Sequence, residues 1–229
     1  MTNEKVILGS FIRRLNRFVA EVEINGEIEK VHIKNTGRLK ELLKPGALVQ
    51  LEKSTNPNRK TKYSLIATRK NDDWVNIDSH APNKIAYEAL QKGRIIELGF
   101  VDEVKREVTF SRSRFDLAYR IGDVKGFIEV KGVTLINNQT AMFPDAPTER
   151  GTKHIRELIQ ARQDGYGAIV LFVVMIQGCH IFSPNREIDA AFADALKDAS
   201  EQGVQILAYN AIEKDGQWML DHKLPVVLS

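Results

Sequence analysis

Asp116, Glu129 and Lys131 are the side chains whose types and spacing can do chemistry together. Asp116 lies in Arg114-Phe115-Asp116-Leu117, and Glu129 and Lys131 lie in Phe127-Ile128-Glu129-Val130-Lys131-Gly132. Both stretches read as strands, and alternation places Glu129 and Lys131 on one face with Ile128 and Val130 on the other. Asp116, one strand away, can bring its carboxylate beside that of Glu129. Two such carboxylates repel unless something neutralises them. A divalent cation does this: Mg²⁺ or Mn²⁺ accepts one or two carboxylates and fills its other positions with water and phosphate oxygens. The Val130 carbonyl is a candidate further ligand. Lys131 can then orient or help deprotonate an attacking water and offset charge in a phosphoryl transition state. Glu88, on a helix upstream, is an additional acid for the catalytic set.

Each of these residues has an ordinary reading as well. A Glu-x-Lys tripeptide arises by chance, and an ion pair on a solvated sheet face contributes little. Glu88 is also what a solvated helix surface would carry. What favours chemistry is the context of a glutamate helix, an aspartate strand, a Glu-x-Lys strand, a second helix and a buried strand.

The elements that must position these residues fall into two parts. From Phe11 to about Ile77 the pattern is short strands, with Asn25-Gly26 as a hairpin turn and Pro45-Gly46 as another. Thr36 to Leu43 reads as a short helix with Thr36 as its N-cap. Strands follow at Ala47–Lys53, Tyr63–Arg69 and Trp74–Ile77, and five short strands with one small helix suggest an OB-like barrel. A generic small barrel would show the same periodicity.

Beyond residue 80 the pattern is α/β. A helix runs from Pro82 to Gly93, with Pro at its start and Gly at its end. Strands follow at about 101–110, 113–120 and 126–135, then a polar loop at Asn137-Asn138-Gln139-Thr140. A helix opens at Pro147 or Thr148 and runs to about Asp164, with Ile155, Leu158 and Ile159 as its apolar face. Ala168–Ile176 is apolar throughout and reads as a strand buried on both faces. A last helix, Asp189–Glu201, precedes a strand at Val204–Tyr209. The expected fold class is therefore α+β with two domains, residues 1–80 a small β-barrel and 81–229 an α/β domain.

Charge is distributed unevenly between the parts. The 229 residues carry 33 Lys plus Arg and 30 Asp plus Glu, yet residues 1–85 hold 16 basic against 10 acidic. A basic module attracts polyanions, and phosphate contacts supply most sequence-independent affinity for nucleic acid. Arg13, Arg14 and Arg17 on the first strand, and Arg59, Lys60 and Lys62 in the loop after 47–53, are the candidate contacts. Arg150 and Lys153, in the first turns of the second long helix, add two more where backbone N–H groups favour anions. Phe18, Tyr63 and Trp74 are candidate stacking platforms that core packing would equally employ. His154 reads as a structural hydrogen-bonding residue.

The strand arrangement resembles the PD-(D/E)XK nuclease superfamily, with Phe115 where that pattern has proline. The stretches LLKPGALVQLEKSTNPNRKT, WVNIDSHAPN, SRSRFD, FIEVKGVTL, FPDAPTERGTKHIREL and FSPN resemble the sugar fermentation stimulation protein family over nearly the full length. That resemblance implies an N-terminal OB-like domain, a C-terminal nuclease-like domain and largely sequence-independent DNA binding. It also implies a regulatory link to sugar metabolism, chiefly maltose. Three functions stay open: a DNA-binding protein with a Mg²⁺- or Mn²⁺-dependent nuclease site, a binding-only DNA regulator, and a metal-dependent phosphoesterase acting on another substrate.

Other classes find no support. A single cysteine, Cys179, forbids an intrachain disulfide and a cysteine zinc cluster, and reads as a packing residue in a reducing compartment. The longest apolar run, Ala168–Ile176, is far below the roughly 20 residues of a membrane helix. MTNEKVILGSFIRR lacks the apolar core of a signal peptide, so the expected location is the cytoplasm. Walker-type phosphate loops are absent, and no ATP chemistry is expected.

Overall fold

A computed structural model describes residues 6–35, 37, 39–111, 113–214 and 216–228. Among these, the chain forms fifteen strands and three helices and divides into two compact units. One unit runs to Ala81 and includes Glu213–Trp218; the other holds Pro82–Ile212 and Met219–Ser229.

The first unit contains β1 (Val6–Arg14), β2 (Val19–Ile24), β3 (Glu27–Ile33), β4 (Leu48–Lys53), β5 (Tyr63–Lys70) and β6 (Asp73–Asn76). Strands β3, β2, β1, β4 and β5 lie side by side, and β3 pairs with β5 in parallel, His32 opposite Ser64 and Ile33 opposite Leu65. That pairing closes the sheet into an OB-type barrel, with β6 added outside on β5. The β2–β3 hairpin turns on Asn25 and Gly26 at φ 52° and 84°, the positive values that a two-residue turn of this hand requires. Alternation places Ala20, Val22, Ile24, Val31 and Ile33 inside with Val49, Leu51 and Leu65. A Cβ on Gly9 of β1 would stand 2.6 Å from a Val22 methyl, so glycine is what lets β1 and β2 approach there.

Among the described residues of 36–43, the expected helix does not form. Leu39 adopts φ 50°, outside the right-handed helical region, and its carbonyl accepts from both Leu42 and Leu43 N–H in a tight turn. Leu39, Leu42 and Leu43 all turn inward from this tight turn, and the Leu42 carbonyl accepts from the Thr68 hydroxyl of β5. Thr36, the expected cap, lies outside the described residues.

The second unit begins with α1 (Ala81–Gln91), ended by Gly93 at φ 62°. It continues with β7 (Glu103–Phe110), β8 (Ser113–Ile121), β9 (Val124–Val133), β10 (Leu135–Asn137), β11 (Thr140–Phe143), α2 (Glu149–Gln163), β12 (Gly167–Val174), β13 (Ile181–Pro184), α3 (Ala190–Glu201), β14 (Gln205–Lys214) and β15 (Gln217–Leu224). The main sheet runs β15-β14-β12-β9-β8-β7. Strand β12 is parallel to both β9 and β14, which is why GAIVLFVV has no polar face. Strands β7, β8 and β9 form an antiparallel meander. The polar loop expected at 137–140 is instead a tight hairpin on Asn138 and Gln139, both at positive φ, and β11 then pairs in parallel with β13. Strand β15 adds an edge strand beyond those expected from the sequence.

Two details fix the sheet and its helices. Tyr119 of β8 lies across Gly126 of β9 and Gly167 of β12: a Cβ on either glycine would stand within 2.5 Å of the tyrosine hydroxyl. Thr148 caps α2 by accepting from Gly151 N–H, and Asp189 caps α3 by accepting from Phe192 N–H. The second oxygen of Asp189 accepts from Thr148 N–H, which locks the two helix starts together. Cys179 is buried, as a packing residue should be. Among the described residues, no helix is long and apolar enough to cross a membrane.

Candidate metal centre and basic surfaces

Strands β8 and β9 and helices α1 and α2 bring the reactive side chains together. Phe115 is fully buried against Phe127, ring centroids 5.2 Å apart, in a cluster with Phe110. Its successor Asp116 therefore points to the other side of β8. There the Asp116 Oδ2 accepts from the Val130 N–H at 2.8 Å, and Oδ1 accepts from the Asn83 amide of α1 at 2.7 Å.

Glu129 is 3% exposed in the middle of β9. Its Oε1 accepts from Lys131 Nζ at 2.6 Å and from His154 Nδ1 of α2. A carboxylate only accepts, so Nδ1 is the protonated ring nitrogen. Glu129 Oε2 is buried and has no hydrogen-bond partner among the described residues. The ordinary reading of this Glu-x-Lys as a pair on a solvated face thus fails, because α2 covers that face.

The electrostatics are those of crowded carboxylates. Burial, then the Glu129 charge, push the Asp116 carboxyl above its usual value, and the Val130 N–H, Lys131 and Asn83 only partly oppose this. Burial also pushes Glu129 up, but the His154 hydrogen bond and the Lys131 charge outweigh it and hold that carboxyl below its usual value. The two neighbouring carboxyls are thus shifted in opposite directions, Asp116 up and Glu129 down.

This donor set fits a hard divalent cation. Two carboxylates offer oxygen ligands, and an orphaned buried oxygen is costly unless something completes it. Among the described residues, no group of three or more His, Cys, Asp or Glu side chains is placed to hold a metal ion, so Asp116 and Glu129 are candidate ligands as a pair, with His154 bound to the Glu129 oxygen that faces it.

Glu88 takes a different place from the one expected. It lies 4.0 Å from Lys84 on its own helix and 3.9 Å from Lys92 just past the helix end, whereas Asn83 is the α1 residue that reaches Asp116. Five positions separate Asn83 from Glu88, which puts them on different faces of a helix. Asn83 was not singled out by sequence reasoning, although it ends the stretch WVNIDSHAPN. His154 is structural in the sense expected, but its partner is the site itself.

The candidate cations divide by what already occupies them. Arg14 donates to the carbonyls of Asn16, Arg17, Asn35 and Gly37, so it ties the barrel's loops together. Arg13 is bound to Glu21 at 2.7 Å, Lys62 to Glu29 at 3.1 Å and Lys153 to Glu157 at 3.7 Å. Arg59 donates to Ser64 and Thr61 hydroxyls in the β4–β5 loop. Arg17, Lys60 and Arg150 are exposed with no ion-pair partner among the described residues. Arg17 belongs to the β1–β2 loop and not to the first strand. Arg13, Arg14, Arg17 and Lys40 line a cavity of about 550 Å³ with Phe11 and Pro45. Phe18 is 48% exposed and stacks on His32, centroids 6.5 Å apart. Tyr63 and Trp74 are half-buried.

A closed five-strand barrel followed by an α/β unit with paired carboxylates on its inner strands defines a two-domain architecture. The chain matches the family model described as "SfsA N-terminal OB domain" over residues 12–77 and "Sugar fermentation stimulation protein RE domain" over residues 80–216. It belongs to the sugar fermentation stimulation protein family. A homolog from Alkaliphilus oremlandii is 53% identical over 221 residues, covering 94% of each chain. One from Clostridium botulinum strain Langeland is 48% identical over 225 residues, covering 97% of each. The solved structure of Pyrococcus furiosus SfsA in complex with Ca²⁺ superposes with a TM-score of 0.88 at 32% identity, covering 99% of this chain and 98% of that one.

Proposed function

We propose that the protein binds DNA with little regard for sequence and carries a divalent-cation site of the PD-(D/E)XK type at Asp116 and Glu129. The observation that carries this reading is the buried Glu129 Oε2, without a hydrogen-bond partner among the described residues, beside the Asp116 carboxyl, which burial and the Glu129 charge push above its usual value. The Ca²⁺ complex of the Pyrococcus furiosus relative supports it. Mg²⁺ or Mn²⁺ is the working ion, with the Val130 carbonyl as a further ligand, and it would supply charge for a phosphate oxygen and an acidified water. Asn83 and the Val130 N–H hold the Asp116 carboxylate in place. Lys131, held by Glu129, offsets negative charge where a phosphodiester would react. The barrel grips the phosphate backbone through Arg17, Lys40 and Lys60, with Arg13, Arg59 and Lys62 exchanging present partners for phosphate, and Arg150 and Lys153 add contacts on α2. The family's link to sugar metabolism, chiefly maltose, would then act through DNA in the cytoplasm.

The test is calorimetric titration of the chelator-treated chain with Mn²⁺, followed by incubation with single-stranded, nicked and branched DNA. Binding lost in Asp116→Ala, with metal-dependent cleavage lost in Lys131→Ala, is the expected result. Undiminished binding in both Asp116→Ala and Glu129→Ala would refute the cation site. Cleavage of no substrate by the wild type would leave a binding-only regulator.

A further inference from the structure

We propose that His154 is a positioning residue that confines Glu129 to one ligating oxygen and thereby sets which divalent cation the site prefers. The inference rests on the cation reading of Asp116 and Glu129 and adds to it a determinant of metal choice.

The two oxygens of Glu129 are treated unequally. Oε1 takes two donors, Lys131 Nζ and His154 Nδ1, which engages both of its lone-pair directions. Oε2 takes none and is buried. Glu129 can therefore ligate through Oε2 at no cost in hydrogen bonds, and through both oxygens only by expelling a donor. Asp116 is restrained similarly, with one donor on each oxygen. A centre that offers single carboxylate oxygens suits a small octahedral ion that keeps several waters. Ca²⁺ takes six to eight ligands and commonly uses carboxylates bidentately.

Of the two donors on Oε1, His154 is the rigid one. The ring is 7% exposed on the inward face of α2, and that helix start is fixed by the Thr148 cap and by Asp189. Lys131 reaches the same oxygen on a flexible four-carbon stem and can swing away. The lock on Oε1 is the imidazole N–H.

The experiment titrates the full chain, freed of metal by chelator, with Mn²⁺ and with Ca²⁺ in parallel. His154→Asn places an amide N–H near the position of Nδ1, whereas His154→Gln carries it past that position. Wild type is expected to bind Mn²⁺ more tightly than Ca²⁺. His154→Gln should weaken Mn²⁺ by about 10- to 100-fold, the usual effect of losing a group that orients a ligand. It should weaken Ca²⁺ less, so that the preference collapses, and His154→Asn should restore it. Lys131→Met, which leaves the imidazole in place, should keep the preference near that of wild type and serves should His154→Gln fail to fold. Equal weakening of both ions in His154→Gln, or identical behaviour of the Asn and Gln variants, would mean that the histidine only supports the fold. A preference that collapses in Lys131→Met would assign the lock to the lysine. Wild type binding neither ion would refute the cation site itself, and this proposal with it.

Discussion

Replacing Lys131 by Met removes the charged partner of a carboxylate that is 3% exposed. At the 2.6 Å separation of Lys131 Nζ and Glu129 Oε1, an effective dielectric near 20 gives a gross attraction of about 6 kcal/mol. Desolvation of the two ions offsets most of that, so the pair as a whole adds little stability. Removing one partner is different, because the buried charge left behind costs about 3–5 kcal/mol. His154 still donates to Glu129, which places the expected loss at the low end, about 3 kcal/mol. A chain of this size loses about 2–4 °C of Tm per kcal/mol, so the transition of the C-terminal unit should fall by about 6–12 °C. Glu129→Gln alone should cost less, about 1–2 kcal/mol, because Lys131 at 14% side-chain exposure can extend toward water. The double variant removes both charges and should lie within about 1 kcal/mol of wild type. Scanning calorimetry on chelator-treated protein near neutral pH measures all four corners. Additive losses in the double variant would refute the reasoning, since independent costs mean that the two charges do not compensate each other.

Asp116→Asn should raise the stability of the metal-free protein at neutral pH, because the folded state holds that carboxyl above its usual value and so disfavours ionisation. The gain should shrink as pH falls from the raised value and vanish below the ordinary carboxylate range, as urea unfolding across pH would show; a gain that grows toward acid would contradict the sign. Glu129 acts oppositely: its contribution is full above the ordinary carboxylate value and is lost as pH falls through its lowered folded value. Charge reversal at Arg17 and Lys40 together should weaken DNA binding and flatten its logarithmic salt dependence by about two contacts' worth, a slope change near 1.8; anisotropy titrations at several salt concentrations that show an unchanged slope would move the contact surface elsewhere. Arg14→Met should instead destabilise the barrel by about 2 kcal/mol, read by thermal melting, because it strips donors from four carbonyls.

Much of this architecture was legible because the signals are local. Asn25-Gly26 can only turn, GAIVLFVV can only be buried on both faces, and Thr148 and Asp189 announce helix starts. What escaped the sequence depends on contacts distant along the chain. Leu39, Leu42 and Leu43 match a helical spacing, yet the segment closes as a tight turn whose Leu42 carbonyl accepts from the Thr68 hydroxyl, 26 positions away. β15 sits at the sheet's edge and lacks a clean alternation, with only Leu220 and Leu224 buried. At the site, Asp116, Glu129 and Lys131 were readable from the strand period. Asn83 and His154 were not, because 33 and 25 positions separate them from the carboxylates they touch. No periodicity reports which face of one element meets which strand of another.

Tyr119 and the two glycines beneath it also constrain the order in which this sequence can change. With the tyrosine present, a methyl group at Gly126 or Gly167 has no room, since its carbon would fall 2.5 Å or 2.1 Å from the hydroxyl. Because all three lie in paired strands, the backbone cannot easily yield to make space. Either glycine can therefore grow only after position 119 has shrunk, while the tyrosine can be lost at any time, leaving a cavity. Descendants that keep the aromatic must keep both glycines. Those that have lost it are free to fill the gap from either strand, and from then on the tyrosine cannot return in a single step.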